Sequence, residues 1–216
     1  MKGGVWKCKI NLNLIKNIDE KGFKEIVLTG VDLTSYGNDL YGKPKLGNLV
    51  KEILKKVKNL DRLRLSSLDA IEIDKYLIDI IRYEERLMPH LHLSIQSGDN
   101  IILKRMKRRH LREDVINLCN NLKKFRSNIV FGADIIAGFP TETDRMFLNS
   151  KKILTECDLT YLHIFPYSNR PNTPASRMPQ LSNKIVKERA RILRTEANKI
   201  LQTFLKTQVN KKHYRN

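Results

Sequence analysis

HLHLSIQSGDNIILKRMKRRH, running from His90 to His110, decides how the chain is read. Its opening residues alternate: His90, His92, Ser94 and Gln96 share one side of an extended strand, and Leu91, Leu93 and Ile95 share the other. A strand sandwiched in a parallel sheet between two helix layers is apolar on both faces. One polar face therefore predicts a sheet curved around a wet interior. The stretch then turns at Ser97-Gly98-Asp99 and enters what the sequence predicts as a dense basic helix. Lys104, Arg105, Lys107, Arg108, Arg109 and Arg112 place six cations within nine residues.

Working outward, apolar and β-branched runs predict strands at 25–29, 63–67, 91–96, 130–138 and 161–166. Helical stripes lie between them, at 46–58, 73–84 and 111–124, in a helix starting near Thr143, and in a long helix over 182–206. Thr141 and Asp144 stand at capping-box spacing before the fourth of these. The loop 166–182 is Pro-rich and expected to be ordered only by packing. Alternation of strand and helix implies parallel strands joined by crossovers, which fits an open doubly wound sheet or a closed or partial barrel. The side-chain pattern arbitrates. Arg62, Arg64 and Ser66 oppose Leu63 and Leu65, while Tyr161, His163 and Phe165 oppose Leu162 and Ile164. The expectation is an α/β fold, a partial parallel (β/α) barrel of about five strands with its site at the C-terminal strand ends.

A chain of 216 residues suffices for one substantial domain. Its 41 Lys and Arg against 23 Asp and Glu give +18, a balance that favours polyanionic partners, nucleic acid first. The bland explanation is compositional, since Lys, Asn and Ile are abundant throughout, so the local cluster carries more weight than the total. No run approaches a membrane span, and MKGGVWKCKI has no apolar signal core. Cys8, Cys119 and Cys157 are too few and too scattered for a disulfide framework. The expected setting is cytoplasmic and reducing, with no membrane partner.

Three strand ends carry unusual residues: Thr29, Gly30 and Asp32; then Gln96, Ser97, Gly98 and Asp99; then Asp134, Gly138, Pro140, Glu142 and Thr143. Each alone reads as a strand-to-helix turn with a cap. Three at successive strand ends point to a shared ligand. His90 and His92 suit hydrogen bonding in a barrel wall better than metal binding, because no carboxylate or thiol stands at ligand spacing. Cys119 falls on an apolar stripe and reads as core. No nucleophile–base pair can be argued from spacing, so no catalytic or metal-binding residue is assigned.

The runs VLTGVDLTSYGNDL, LRLSSLDAIEID, PHLHLSIQSGDNIILKRMKRRH, ADIIAGFPTETD and LHIFPYSNRPNTPASRMPQ together resemble the radical S-adenosylmethionine tRNA methylthiotransferases. Within that family, LRLSSLD and HIFPYSNRPNTPASRMPQ are most similar to the branch acting on threonylcarbamoyl-adenosine next to the anticodon. The resemblance spans about residues 11–206, leaving 1–10 unmatched and 207–216 as a tail where a TRAM domain would begin. It implies a radical-SAM-type partial barrel whose first strand is missing, S-adenosylmethionine and a [4Fe–4S] cluster as cofactors, and tRNA as partner. It also implies that Thr29, Gly30, Asp32, Gln96, Ser97, Ile136, Gly138, Glu142, Phe165 and Tyr167 surround the cofactor, and that Lys104, Arg105, Lys107, Arg108, Arg109 and Arg112 meet RNA phosphate.

The family's Cys-x3-Cys-x2-Cys cluster motif does not occur in these 216 residues, whose cysteines are never within seven positions of one another. Ser94 stands where the family commonly has Pro, and Thr141 and Asn172 where it commonly has Gly. The expectation is an interior piece of a methylthiotransferase, inactive alone, whose missing ligands a separate N-terminal chain would supply. The alternative is a non-catalytic remnant with at most nonspecific RNA binding. A third reading, an ordinary barrel enzyme without iron, lacks a catalytic constellation.

Overall fold

The computed structural model describes residues 15, 17, 20–30, 32–209 and 211. The chain forms two compact units. The first takes residues up to Ser94 together with Asn120–Ile129, and the second takes Ile95–Cys119 and everything from Val130 on. The whole unmatched start, Cys8 included, and most of the tail lie outside the described residues. Among the described residues no helix is long and apolar enough to cross a membrane.

In the first unit, strand β1 (Glu25–Leu28) pairs in parallel with β2 (Arg62–Leu65), Glu25 opposite Arg62. The short β3 (Ser67–Leu68) pairs in parallel with β4 (His90–Gln96). The strand expected over 63–67 is thus split in two. Alternation holds along β2 and β4, with Leu63, Leu65, Leu91 and Leu93 buried and Arg62, Arg64, His90 and His92 partly exposed. Helix α1 (Leu46–Lys56) buries Leu46, Leu49, Val50, Ile53 and Leu54, and packs on α2 (Lys75–Tyr83), which buries Leu77 and Ile81. Asp74 starts α2 by accepting from the Leu77 amide at 3.1 Å, and also accepts from the Gly47 amide of α1 at 2.9 Å. A Cβ on Gly47 would sit 2.5 Å from that carboxylate, which is why glycine stands there.

Arginines close the helix ends of this unit. Arg86 donates to the Leu54 and Val57 carbonyls at 2.7 and 3.1 Å, and Arg126 to the Ile81 carbonyl at 2.9 Å. These are orphan acceptors at helix C-termini, where a cation also complements the helix dipole.

In the second unit, β5 (Val130–Ala137) and β6 (Leu159–Pro166) run parallel, Asp134 opposite His163, joined by α5 (Asp144–Glu156). The long α6 (Asn183–Gln208) covers both strands, burying Val186, Ala190, Leu193 and Ala197. Thr143, not Thr141, caps α5, accepting from the Met146 amide at 3.3 Å. Thr141 instead sits in the left-handed region, φ +68°, away from the extended conformation typical of an N-cap. The Pro-rich loop holds a short 3-10 turn, Pro174–Arg177, capped by Thr173.

The expected basic helix is interrupted. Helix α3 (Asn100–Arg105) stops at its first two cations, and α4 begins only at Arg112 (Arg112–Phe125). Lys107 adopts φ +58°, the Arg108 amide donates to the Leu103 carbonyl at 2.9 Å, and the Lys107 amide to the Lys104 carbonyl at 3.0 Å. That pair of bonds is a Schellman motif. Ile102 and Leu103 before the turn and His110 after it are all buried.

Candidate functional site

The second unit brings the strand-end residue Gln96 together with part of the basic run. A cavity of about 340 Å³ is lined by Gln96 at the end of β4, Ile136 of β5 and Phe139 just beyond it. Arg105, Met106, Lys107 and Arg108 of the Schellman turn form another wall, and Thr173, Pro174 and Ala175 of the 3-10 turn a third. Two glycines and a capping aspartate shape the surroundings. Gly98 lies so close to α5 that a Cβ would meet the Asn149 carbonyl oxygen at 2.5 Å. Gly138, at φ +74°, lets the chain turn back against Val186. Asp99 starts α3 by accepting from the Ile101 and Ile102 amides, and accepts from Asn149 at 2.8 Å.

Other expected site residues stand behind the cavity. Ser97 is fully buried, its hydroxyl 3.2 Å from that of Ser150 and accepting from the Asp99 amide. Glu142 is also buried. One carboxylate oxygen accepts from the Gly138 amide at 3.0 Å and from Arg189 at 2.8 Å, while the other has no partner. Burial pushes this carboxyl above its ordinary range, against the pull of Arg189. Glu142 and Arg189 therefore hold the turn at Gly138. Tyr167 donates its amide to the Ala137 carbonyl and meets Phe139 edge-on with ring centres 5.4 Å apart. Its hydroxyl is buried without a partner, and burial raises its pKa. Phe165 is half exposed.

The six cations separate into roles, Arg108 being half-buried in the cavity wall. Lys104, Lys107 and Arg109 are exposed. Arg105 is partly buried and donates to the Thr141 hydroxyl at 2.6 Å. Arg112 binds the Gly98 and Asn149 carbonyls, each at 3.0 Å, and is ion-paired with Glu156. Thr29, Gly30 and Asp32 belong to the first unit. The first two are exposed, and Asp32 accepts from the Ser35 amide at 3.3 Å.

Sequence reasoning missed Phe139, Met106, Thr173 and Arg189. Arg189 had a signal: a charged residue spaced three and four positions from Val186 and Leu193, on the stripe that α6 buries. Thr173 and Phe139 had none beyond their neighbours in the quoted runs.

A cluster of the radical-SAM kind needs three thiolates around one site. The described cysteines, Cys119 on the buried side of α4 and Cys157 at the end of α5, are both buried and not in disulfides. Two core thiols do not provide that ligand set. Gln96, Ile136 and Phe139 do suit an adenine nucleoside, with a polar amide beside apolar walls.

Residues 11–154 match the Radical SAM superfamily. The chain is 54% identical, over 92% of its length, to 47% of the threonylcarbamoyladenosine tRNA methylthiotransferase MtaB of Rickettsia prowazekii (strain Madrid E). It is 37% identical, over 84% of its length, to 41% of the tRNA-2-methylthio-N(6)-dimethylallyladenosine synthase of Orientia tsutsugamushi (strain Boryong). The chain thus spans about half the length of the curated relatives it matches. In structure it resembles the radical S-adenosylmethionine methyltransferase TsrM from Kitasatospora setae, solved with cobalamin and a [4Fe–4S] cluster bound, at a TM-score of 0.62 and 16% identity, covering 79% of this chain and 33% of that one. At that identity the likeness shows the fold: α/β with parallel strands, as the alternating strands anticipate.

Proposed function

From the premise that this chain belongs to the radical SAM superfamily, we propose that it is the nucleoside-binding and RNA-facing segment of a tRNA methylthiotransferase acting on threonylcarbamoyl-adenosine. In this reading it holds no iron–sulfur cluster by itself, and a separate chain provides the cluster ligands. The observation that carries the reading is the single cavity in which Gln96 and Ile136 meet Arg105, Lys107 and Arg108. An adenine nucleoside and an anionic polymer are the two things such a wall suits.

When bound with a cluster, S-adenosylmethionine supplies a radical precursor. Toward it this chain contributes Gln96 as a polar contact and Ile136 and Phe139 as apolar walls. Gly138 allows close backbone approach, with Phe165 and Tyr167 beyond. Ser97 and Glu142 act from behind by fixing the turns at Gly98 and Gly138. Thr29, Gly30 and Asp32 lie in the first unit and are given no part in this cavity. Lys104, Arg109 and the cavity cations face RNA phosphate, while Arg112 acts through the fold.

The test is equilibrium binding of S-adenosylmethionine to the 216-residue chain, with iron and sulfide assayed after anaerobic reconstitution and desalting. The expected result is S-adenosylmethionine binding that Gln96→Ala weakens, with no iron retained. Near-stoichiometric iron and sulfide on the monomer would overturn the statement about the cluster. RNA binding with no binding of S-adenosylmethionine at all would favour the alternative, a non-catalytic remnant.

A further inference from the structure

The cationic wall of the cavity is placed for more than a polymer backbone. Arg105, Lys107 and Arg108 line the cavity itself, beside Met106, Ile136 and Phe139. None of its described lining residues is Asp or Glu. Arg105 donates to a neutral hydroxyl, Thr141, and no carboxylate among the described residues is seen paired with it. Lys107 is exposed and held by the Schellman turn at φ +58°, so its position is set by backbone hydrogen bonds. A phosphodiester passing the cavity mouth meets only the charged part of this wall and leaves its apolar part unused. A flat base carrying one carboxylate suits both halves: the ring against Ile136 and Phe139, the anion against the cations.

We propose that Arg105 and Lys107, with Arg108 beside them, form a subsite for a carboxylate carried on an adenine nucleoside, and that this carboxylate is the threonyl group of the substrate base. The inference rests on the function proposed above and deepens it. A threonylcarbamoyl substituent is anionic at neutral pH, because its carboxyl ionises well below it. A dimethylallyl substituent is apolar and gains nothing from this wall. The cations therefore select between the two kinds of modified adenine. S-adenosylmethionine also carries a carboxylate, so the experiment separates the two sources.

Ligand-observed NMR titration of the 216-residue chain supplies the test. Four nucleosides are compared: N6-threonylcarbamoyl-adenosine, its carboxamide, S-adenosylmethionine, and methylthioadenosine, which has no carboxylate. The acid should bind about tenfold or more tightly than its carboxamide, as a charge-assisted hydrogen bond requires. Lys107→Gln should reduce that ratio severalfold, with Arg105→Gln as the second variant and circular dichroism verifying the fold of both. The carboxamide is nearly isosteric, so the ratio reports charge and not packing. Equal binding of acid and carboxamide overturns the subsite even where S-adenosylmethionine binding and RNA binding persist. So does an acid preference that both variants leave intact. If the variants instead erase only the preference for S-adenosylmethionine over methylthioadenosine, the cations serve the cofactor and the assignment to the substrate base is wrong. Absence of S-adenosylmethionine binding, with the acid preference intact, sinks the cofactor reading while the subsite stands.

Discussion

Glu142 and Arg189 show how one buried pair sets the geometry of a turn. The carboxylate takes the Gly138 amide and one guanidinium nitrogen, which also donates to the Glu142 carbonyl, while a second nitrogen reaches Asp144 at 2.7 Å. Removing the guanidinium leaves a carboxylate buried with one hydrogen bond, so Arg189→Leu should cost about 3–5 kcal/mol at neutral pH. The pH dependence has a definite sign. Burial already raises the folded pKa of Glu142 above its ordinary value. A carboxyl raised on folding binds its proton more tightly in the folded state, so stability falls as pH rises from the unfolded pKa through the folded one. Without Arg189 the folded pKa rises further, and the charge can be relieved by protonation. The deficit of Arg189→Leu relative to the parent should therefore shrink on going from neutral pH to roughly pH 5. Urea unfolding of both proteins at the two pH values measures it, and an equal deficit at both would show that losing Arg189 does not alter the proton uptake of Glu142 in that range.

At the scale of elements, β4, α3 and α5 meet around Gly98 with no room for a side chain. A Cβ there would lie 2.5 Å from the Asn149 carbonyl oxygen and 2.7 Å from Ser150 Cα, both backbone atoms that cannot swing aside. Gly98→Ala should destabilise the chain by roughly 1–3 kcal/mol, with a lowered denaturation midpoint. A midpoint unchanged within error would mean that α5 shifts freely. The elements themselves were legible, because alternation and helical stripes are local: β4, β6, α1 and α6 lie close to where the spacing put them. Their ends were less so. The basic run read as helix because Lys and Arg favour helices, yet Lys107 turns left-handed. Nothing local marked that turn, since glycine usually stands at such a position and lysine does not. Thr141 and Asn172 are the converse: the resemblance leads one to expect glycine there, and both have positive φ, +68° and +66°. The candidate site was half visible. Gln96, Ile136 and the cations were marked by pattern or resemblance, whereas Thr173 joins the cavity, and Arg189 the turn behind it, only through contacts remote in sequence.

Over the whole molecule, the +18 charge divides between structure and surface. Arg86 and Arg126 close helix ends, Arg194 binds the Ile164 carbonyl at 2.9 Å, and Arg82 stacks on Phe125 at 3.5 Å. Arg112 ties Gly98 to Asn149. These guanidiniums are spent on the fold and are poor candidates for phosphate. The exposed Lys104 and Lys107 are better ones. If about three to five phosphates are neutralised, RNA affinity should fall with salt on a log–log slope of roughly −2 to −4. Phosphate contacts carry no base information, so unmodified tRNA and unrelated RNA of equal length should bind alike. Replacing Lys104 and Lys107 together with Ala should flatten the slope by roughly one to two units. Arg112→Ala should instead lower the unfolding midpoint, because the lost partners are buried carbonyls and not phosphates. Filter binding at several salt concentrations, paired with thermal melts, separates these effects. A double lysine variant with unchanged slope would assign the excess charge to composition, and a shallower slope for Arg112→Ala at unchanged stability would return that arginine to the RNA-facing surface.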